Sequence, residues 1–315
     1  MKVFIQIPCL NEEETLPLVL ESIPKKIKGV ELELLIIDDG SRDKTIEVAK
    51  RYGVKHFVKH TRNMGLARSF RDGVMYALEH GADIVVNTDG DNQYPQNRIP
   101  DLIQPIIDGT ADIVIADRQT QKIAHFSPLK KLLQRIGSFI VNKAAGTDLP
   151  DAASGFRAYS RESLIRLNIV TQFSYCMETI IQAGNKRMAI TSIPVTTNAK
   201  TRESRLFKNM WQHIYKSSAA IIRSYIMYRP YIIFGVLGWT LFVIGAIPFV
   251  RWIIYAFVQH DSNGHLQSLL IGSVFLIASF LCLVLSVVAD LVRTNRILQE
   301  ENLEQTRRHH LDHRK

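Results

Sequence analysis

The first 120 residues alternate between short apolar runs and longer amphipathic stretches. The apolar runs, rich in Val, Ile and Phe, predict strands at 3–8, 33–38, 55–59, 83–88 and 112–117. Apolar residues at helical spacing predict the helices between them, at 12–26, 43–52, 66–80 and 96–108. Strands that are apolar along their whole length, with helices between them, are typical of a mainly parallel sheet covered on both faces. We therefore predict an α/β domain over residues 1–200.

Two later runs contain no charged residue and are long enough to cross a bilayer as helices. They cover residues 230–250 and 266–289. The connection at 259–265 has no Lys or Arg, whereas both outer flanks are basic. By the positive-inside rule, the α/β domain and a charged tail at 293–315 face the cytoplasm. This pattern predicts two transmembrane helices within 230–292, and it excludes both a wholly soluble enzyme and a transporter with many spans.

Basic residues are concentrated just before the first of these runs. The 315-residue chain has a net charge of +9, and residues 200–229 alone contain seven basic residues and one acidic residue. Apolar side chains recur there at helical spacing, as in Phe207, Trp211 and Ile214. We interpret 201–229 as basic amphipathic helices at the membrane surface, with a helix packed on the α/β domain as the alternative. The charge favours anionic lipid headgroups or phosphates as partners and disfavours nucleic acid.

Polar side chains follow four of the predicted strands. Asn11 and Glu12 follow the first strand, Asp38 and Asp39 end the second, the segment 89–93 (DGDNQ) follows the fourth, and Asp117-Arg118 ends the fifth. In open sheets of this class, ligands bind outside the carboxyl ends of the strands. We therefore expect these residues to meet in one substrate site.

The segment after the fourth strand has the chemistry of a divalent-cation site. Asp89 and Asp91 flank Gly90, so that both carboxylates can turn toward one cation, and Gln93 offers a third oxygen. Mg²⁺ and Mn²⁺ take oxygen ligands and complete their shell with substrate phosphates. Such a metal would neutralise the diphosphate of a nucleotide leaving group.

Five motifs in order along the chain carry a family resemblance: PCLNEEETL, IIDDGSRDKT, RNMGLARSFRDG, NTDGDNQYP and DAASGFRAYSRE. Together they resemble the family-2 glycosyltransferases of GT-A fold, and within them the polyprenyl-phosphate glycosyltransferases, the group that includes dolichyl-phosphate mannose synthase. The resemblance covers residues 1–205, and two spans after the domain resemble one branch of the group. It implies an inverting transfer of one sugar from a UDP- or GDP-sugar to an undecaprenyl or dolichyl phosphate, with Mg²⁺ or Mn²⁺.

The resemblance also implies roles for individual residues. The nucleotide sugar would be held by residues after the first, second and fourth strands: Pro8, Leu10, Glu12, Asp39, Asp89, Gly90, Asp91 and Gln93. Metal ligands would be Asp89, Asp91 and Gln93. The acceptor phosphate would be held by Arg118, Arg135, Ser138 and Arg202. Asp151 matches an acidic position proposed to be catalytic, and Asp91 would be catalytic through the metal.

Several alternatives stay open at this point. Asp151 is either a general base or a residue that orients Arg118 or Arg157. The acceptor could instead be a diacylglycerol or a lipid-linked glycan, and a non-catalytic scaffold that senses nucleotide sugars is a different class. Small residues at Gly235, Gly238 and Gly245 suggest self-association of the spans into a homo-oligomer.

Overall fold

The computed structural model describes residues 1–122, 128–170, 175–199, 219, 230–258 and 266–313. The chain divides into two compact units. The first comprises Met1–Ile222 and Leu303–Lys315, and the second comprises Arg223–Asn302. The predicted surface helices at 201–229, with Arg202, and the connection at 259–265 lie outside the described residues, apart from position 219.

The first unit is built on a seven-stranded sheet. Its strands are β1 (Lys2–Cys9), β2 (Glu31–Asp38), β3 (His56–Lys59), β4 (Ile84–Asn87), β5 (Ile113–Asp117), β6 (Arg157–Ser160) and β7 (Ile190–Pro194). They lie in the order β3-β2-β1-β4-β6-β5-β7, and β6 alone runs antiparallel to its neighbours. The predicted α/β class with a mainly parallel sheet is confirmed, and the five predicted strands match β1 to β5.

Helices cover both faces of the sheet. They are α1 (Leu16–Ser22), α2 (Thr45–Arg51), α3 (Leu66–Glu79), α4 (Ile99–Ile107), α5 (Pro128–Ala145), α6 (Arg161–Arg166) and α7 (Tyr175–Asn185). Alternate residues of β1, including Ile5 and Ile7, enter one core cluster with Leu16 of α1 and Leu102 of α4. On α3, the ring of Phe70 stacks on Tyr175, with centroids 3.9 Å apart, and meets Tyr159 edge-on. The four helices predicted from periodicity are present, each shorter than predicted.

Strand β6 determines where the site forms. It lies between β4 and β5, with Arg157 in register with Asn87 on one side and Ile115 on the other. Because β6 is antiparallel, its first residue lies at the edge where β1, β2, β4 and β5 end. The loop 151–156 that leads into β6 therefore reaches the same edge as the predicted strand-end residues.

The second unit contains two long apolar helices, α8 (Pro230–Val258) and most of α9 (Leu266–Asp312). By length and composition both are able to cross a membrane. Gly245 meets α9 so closely that an added Cβ would lie 2.9 Å from the Leu276 amide nitrogen. Ser279 Oγ donates to the Gly238 carbonyl at 2.8 Å. Gly238 and Gly245 thus pack the two helices of the hairpin against each other. Because this surface is occupied within one chain, it does not support contacts between chains, and self-association stays a prediction.

The charged segment that was predicted as a tail at 293–315 is helical as far as Asp312. Helix α9 continues without a break to Asp312, and its last residues belong to the first unit. There Arg307 donates to the carbonyl oxygens of Ile165 and Leu167 at 3.2 and 2.7 Å, and Arg308 pairs with Glu162. The segment is rich in helix-forming Leu, Glu, Gln and Arg, so it extends the helix and caps the end of α6.

Candidate active site

The loops after β1 and β2 are tied together by side-chain caps. Asn11 has a positive φ of 55°; its amide donates to Ser41 Oγ at 2.9 Å, and its Oδ1 accepts the Arg42 amide at 2.8 Å. The Glu12 amide donates to Thr45 Oγ1 at 2.8 Å. Pro8 and Leu10 lie half-buried beside these bonds. The predicted nucleotide-binding residues Pro8, Leu10 and Glu12 therefore lie where hydrogen bonds hold the loops after β1 and β2 together.

Asp39 holds a third loop, residues 60–65, at the same edge of the sheet. Its Oδ1 accepts the Met64 amide at 2.7 Å and lies 2.7 Å from His60 Nδ1, and its Oδ2 accepts the Gly65 amide at 2.9 Å. The other ring nitrogen of His60, Nε2, lies 3.3 Å from Asp72 Oδ2. Asp39 thus shapes the 60–65 loop, and its direct contact with a base stays a prediction. Sequence analysis missed His60, which no motif distinguished from other polar residues.

The turn after β4 packs directly on the end of β1. A Cβ added to Gly90 would lie 3.2 Å from both Cys9 Sγ and Glu12 Cγ, so a larger residue would require these side chains to shift by a few tenths of an ångström. Thr15 Oγ1 lies 2.6 Å from Glu12 Oε2 and 2.8 Å from the Gly90 carbonyl oxygen. Burial, together with the nearby carboxylate of Glu12, raises the pKa of the Cys9 thiol well above its usual range. Cys9 is therefore a neutral packing residue of the site.

Gln93 orients the carboxylate of Asp91. The Gln93 amide donates to Asp91 Oδ1 at 3.2 Å, and Gln93 Nε2 donates to Asp91 Oδ2 at 2.9 Å. Asn198 closes the turn, since its backbone amide donates to the Gln93 carbonyl and its Nδ2 to the Asn92 carbonyl, both at 3.0 Å. Gln93 thus presents its nitrogen to Asp91, and its role as a metal ligand stays a prediction.

The donors of this turn fit a divalent cation that is shared with a substrate. Within the described ranges no group of three or more His, Cys, Asp and Glu side chains forms a metal centre. Asp89 and Asp91 supply two carboxylates, and Asn92 Oδ1 is buried without a hydrogen-bond partner in the part of the chain that the structure describes. Oxygen donors in this number suit Mg²⁺ or Mn²⁺, which leave positions for phosphate oxygens.

Arg118 and Asp151 form a bidentate ion pair across the same edge. Arg118 Nε lies 2.6 Å from Asp151 Oδ2, and Nη2 lies 2.9 Å from Oδ1. Asp151 Oδ1 also accepts the Ala153 amide at 3.2 Å. The Asp151 side chain is 2% exposed and that of Arg118 is 17% exposed. The pair does not engage Nη1 of Arg118, whose two N–H groups remain on the side away from Asp151.

This pair determines the charge state of Asp151. Burial alone would raise the pKa of its carboxyl, but the charge and hydrogen bonds of Arg118 outweigh burial and lower that pKa below its ordinary value of 3.8. In turn, the carboxylate of Asp151 raises the pKa of Arg118 against the effect of burial. An ionised, paired carboxylate with a lowered pKa is a weak proton acceptor. The geometry therefore favours the orienting role of Asp151 over the role of a base.

A buried network joins the loop 151–155 to the turn after β4. The Gly155 amide donates to Tyr94 Oη at 2.9 Å, and Asn87 Nδ2 donates to the Gly155 carbonyl at 3.0 Å and to Tyr175 Oη at 2.7 Å. A Cβ added to Gly155 would lie 3.5 Å from Asp89 Oδ2. The predicted metal ligand Asp89 and the loop that carries Asp151 are therefore neighbours.

Arg157 holds the loop 151–155 in place through hydrogen bonds to its backbone carbonyl oxygens. After His60, it is the second residue whose structural role the sequence did not predict. It is fully buried. Its Nε donates to the Ser154 carbonyl at 2.6 Å and its Nη2 to the Ala152 carbonyl at 2.9 Å. Nη1 donates to the Cys176 carbonyl at 2.8 Å and to Thr179 Oγ1 at 2.9 Å. Arg157 is part of the motif DAASGFRAYSRE, but its bonds to the loop carbonyls depend on the antiparallel direction of β6, which the motif does not reveal.

Helix α5 supplies the other predicted phosphate-binding residues. Ser138 is buried and its Oγ accepts the Ala152 amide at 3.2 Å, so it lies next to Asp151. Arg135 lies on the same helix and is exposed. The structure thus brings Ser138 against the loop that carries Asp151, and Asp151 pairs with Arg118, whereas Arg202 lies outside the described residues.

Comparison with known proteins identifies the domain. Residues 4–167 match the family described as Glycosyl transferase family 2. The chain is 28% identical over 216 residues to the UDP-N-acetylglucosamine--dolichyl-phosphate N-acetylglucosaminyltransferase of Methanococcus voltae, covering 62% of this chain and 85% of that protein. It is 32% identical over 217 residues to the dolichol-phosphate mannosyltransferase of Pyrococcus furiosus, covering 65% of this chain and 59% of that longer protein.

A solved structure shows the same fold. Glucosyl-3-phosphoglycerate synthase from Mycobacterium tuberculosis, in complex with Mn²⁺, UDP-glucose and phosphoglyceric acid, superposes with a TM-score of 0.56 at 22% identity. The match covers 71% of this chain and 78% of that one. The first unit therefore has the GT-A fold, as the motifs predicted.

Proposed function

The chain belongs to glycosyl transferase family 2, and from this premise we propose that it transfers one sugar from a UDP- or GDP-sugar to a polyprenyl phosphate, with inversion. It is thus a glycosyltransferase whose acceptor is a lipid phosphate. The observation that carries this acceptor is the Arg118–Asp151 pair, which holds a guanidinium at the sheet edge, in a loop region where a Cβ added to Gly155 would lie 3.5 Å from Asp89 Oδ2. The names of the relatives from Methanococcus voltae and Pyrococcus furiosus support the same acceptor class.

The proposed reaction needs positioning more than proton transfer. An oxygen of the lipid phosphate attacks the anomeric carbon, its bond to that carbon forms, and the bond from the carbon to the diphosphate breaks. The phosphate oxygen is already ionised, so no base has to remove a proton. Arg118, held by Asp151, binds the phosphate through its remaining N–H groups, and Arg135 and Ser138 lie on the acceptor side. A lowered pKa of Asp151 disfavours a hydroxyl acceptor, which would require a base.

The donor is proposed to bind across the loops after β1, β2 and β4. Pro8, Leu10 and Glu12 would face the nucleoside, and Asp39 would shape the loop against its base. Asp89 and Asp91 would hold Mg²⁺ or Mn²⁺, which supplies positive charge for the leaving diphosphate. Solved relatives of this fold hold Mn²⁺ with UDP-glucose or Mg²⁺ with UDP, which supports this assignment.

Membrane attachment is proposed through α8 and α9, with the first unit in the cytoplasm. The connection 259–265 lacks Lys and Arg while the flanks are basic, which supports this orientation. The catalytic unit then works at the membrane face where anionic lipid headgroups and the acceptor phosphate lie.

A donor panel tests the proposal. Membranes containing the full chain are incubated with polyprenyl phosphate and each of several radiolabelled UDP- and GDP-sugars, and the lipid fraction is analysed for a product labile to mild acid. We expect one donor to label the lipid, and Arg118→Ala to remove that label. Arg98→Ala is the matched control, because Arg98 forms an exposed ion pair with Asp101. Label in a neutral lipid that survives mild acid would instead identify a hydroxyl acceptor and refute the phosphate.

A further inference from the structure

The hydrogen-bond partners of Asp39 occupy its two carboxylate oxygens unequally. Oδ1 accepts the Met64 amide at 2.7 Å and lies 2.7 Å from His60 Nδ1, so both of its lone pairs are used. Among the residues that the structure describes, Oδ2 accepts the Gly65 amide alone, at 2.9 Å. One lone pair of Oδ2 is therefore available to a ligand, and His60 determines which of the two oxygens keeps it.

The chemistry of Asp39 fixes the hydrogen of His60. An ionised carboxylate only accepts hydrogen bonds, so Nδ1 must carry the hydrogen that is shared with Asp39. The other ring nitrogen, Nε2, lies 3.3 Å from Asp72 Oδ2 but has no hydrogen-bond partner in the described part of the chain. Asp72 is instead bonded by Arg68 Nε at 2.6 Å. The bond from Nδ1 to Asp39 is thus the directed bond of this imidazole.

The backbone holds His60 where this bond is made. Its amide donates to the Asp38 carbonyl at 2.9 Å, directly after β3, and its side chain is 9% exposed. The amide of Asp39 donates to the Cys9 carbonyl at 2.9 Å, at the end of β1. The imidazole and the carboxylate are therefore attached to the ends of neighbouring strands, and both stay in place when the 61–65 backbone moves.

The loop that Asp39 organises lies against the turn after β2. Gly40 has a φ of 81°, and a Cβ added there would lie 2.7 Å from the carbonyl carbon of Arg62. Because that neighbour is backbone, the close approach requires glycine. The side chains of residues 62–64 are exposed at this edge of the sheet. Rotation of the Asp39 carboxylate would release the two loop amides and move these side chains.

We propose that His60 is a positioning residue for the nucleotide of the donor. Its bond from Nδ1 orients Asp39, and this orientation holds the 60–65 loop in the form that binds the nucleoside. The proposal rests on the proposed function for one point, namely that the donor nucleotide binds at this loop. The described contacts of His60 join it to Asp39 and Asp72, not to Arg118 or Asp151. Its effect should therefore fall on the donor and spare the acceptor.

Two substitutions separate the two nitrogens of the imidazole. His60→Asn places an amide nitrogen where Nδ1 stood, so it keeps the donor to Asp39. His60→Gln places an amide nitrogen near the position of Nε2, so it loses that donor. His80→Gln is the matched control, because His80 is exposed just after α3, with its Nδ1 2.7 Å from the Tyr76 carbonyl oxygen.

Calorimetric titration of the detergent-solubilised full chain with UDP and with GDP, in the presence of Mn²⁺, measures the Kd of each nucleotide. For the nucleotide that the parent binds more tightly, we expect His60→Gln to raise the Kd by about tenfold. His60→Asn should stay within about twofold of the parent, and His80→Gln should bind as the parent does. Unchanged binding by His60→Gln, or equal losses in the two His60 variants, would overturn the proposal.

Initial rates separate positioning from general damage to the fold. His60→Gln should raise the KM of the nucleotide sugar by about tenfold and change the KM of the lipid phosphate by less than about twofold. A variant that is partly misfolded lowers kcat through the fraction of active enzyme and leaves both KM values unchanged. A fall in kcat alone would therefore contradict a positioning role.

Amide hydrogen exchange, measured by mass spectrometry, tests the loop without turnover. A peptide covering 60–66 should exchange about tenfold faster in His60→Gln than in the parent or His60→Asn, while peptides from β1 and β4 exchange at the parent rate. Equal exchange of the 60–66 peptide in all three proteins would overturn the proposal. A parent that binds neither UDP nor GDP would refute the proposed function, whereas a parent and a His60→Gln variant that bind equally would refute this proposal alone.

Discussion

Replacement of Asp151 by Asn tests whether this carboxylate orients Arg118. The substitution keeps the shape and one acceptor oxygen but removes the charge, so the bonds of 2.6 and 2.9 Å from Arg118 lose their anionic partner. Removing one member of a buried pair costs about 3–5 kcal/mol. Arg118 is 17% exposed and one acceptor remains, so we expect a loss of about 2–3 kcal/mol in the free energy of unfolding.

The kinetic consequence follows from the position of the guanidinium. A displaced positioning group costs about 100-fold in rate, so Asp151→Asn should lower kcat/KM for the lipid phosphate by about that factor. The KM of the nucleotide sugar should change little, because Asp151 lies on the acceptor side. Since both residues act through one contact, the double variant with Arg118→Ala should lose no more activity than Arg118→Ala alone. Asp148→Asn, at an exposed carboxylate of the same loop, is the matched control.

The pH dependence separates orientation from base catalysis. The pKa of Asp151 is lower in the folded protein than its ordinary 3.8. Its stabilising contribution is therefore complete above that ordinary value and is lost as pH falls through the folded value. Between about pH 5 and pH 8 the carboxylate stays ionised, and the parent and Asp151→Asn should show parallel pH–rate profiles. An acid limb in that range that disappears in Asp151→Asn, with losses that multiply in the double variant, would refute the orienting role.

Three further outcomes follow from the described contacts. Chelation should abolish transfer, Mg²⁺ or Mn²⁺ should restore it, and Asp91→Asn should raise the metal concentration needed for half-maximal rate; full activity in chelator would contradict the metal assignment. Arg157→Lys loses the fork that holds two loop carbonyls, so it should lower the free energy of unfolding by about 2–3 kcal/mol, with Arg161→Lys, which contacts carbonyls elsewhere, as control. Gly184→Ala, where an added Cβ would collide with the Ala145 carbonyl, should lower the free energy of unfolding by about 1–3 kcal/mol, whereas Gly137→Ala, where an added Cβ has no neighbour within 4 Å, should raise it. Urea unfolding followed by circular dichroism measures all four of these substitutions. Equal effects of the two alanine substitutions would contradict the packing of α5 on α7.

The meeting of the residues after β1, β2 and β4 at one edge of the sheet was predictable because it follows local patterns. β1, β2 and β4 are short apolar runs that end in polar residues, and parallel strands carry those ends to one edge. Asp89, Gly90 and Asp91 are adjacent in sequence, so their proximity required no knowledge of the fold. The α/β class and the two apolar helices were predicted on the same grounds, whereas the GT-A fold was implied by the resemblance of the five motifs to a known family.

The acceptor half depends on contacts between distant residues, which periodicity does not reveal. β6 has four residues and begins with Arg157, so it lacks the apolar signal of a strand, although it sets the position of Asp151. The pairing of Arg118 with Asp151 spans 33 residues, and sequence analysis left Arg157 equally possible as the partner. His60 was missed because its role comes from Asp39 and Asp72, which approach it from two different elements.

The two halves of the site differ in how they are anchored, and this difference has a consequence for specificity. Loops after β1, β2 and β4 are held by buried bonds within the sheet edge, such as those of Asp39 and Thr15. The loop 151–156 is held from α5 by Ser138 and from β6 by Arg157. A change in α5 or β6 can therefore move the loop 151–156 without disturbing the loops after β1, β2 and β4. Under the proposed function, donor preference and acceptor preference should accordingly vary through separate sets of residues, the 60–65 loop for the nucleotide and the loop 151–156 for the lipid phosphate.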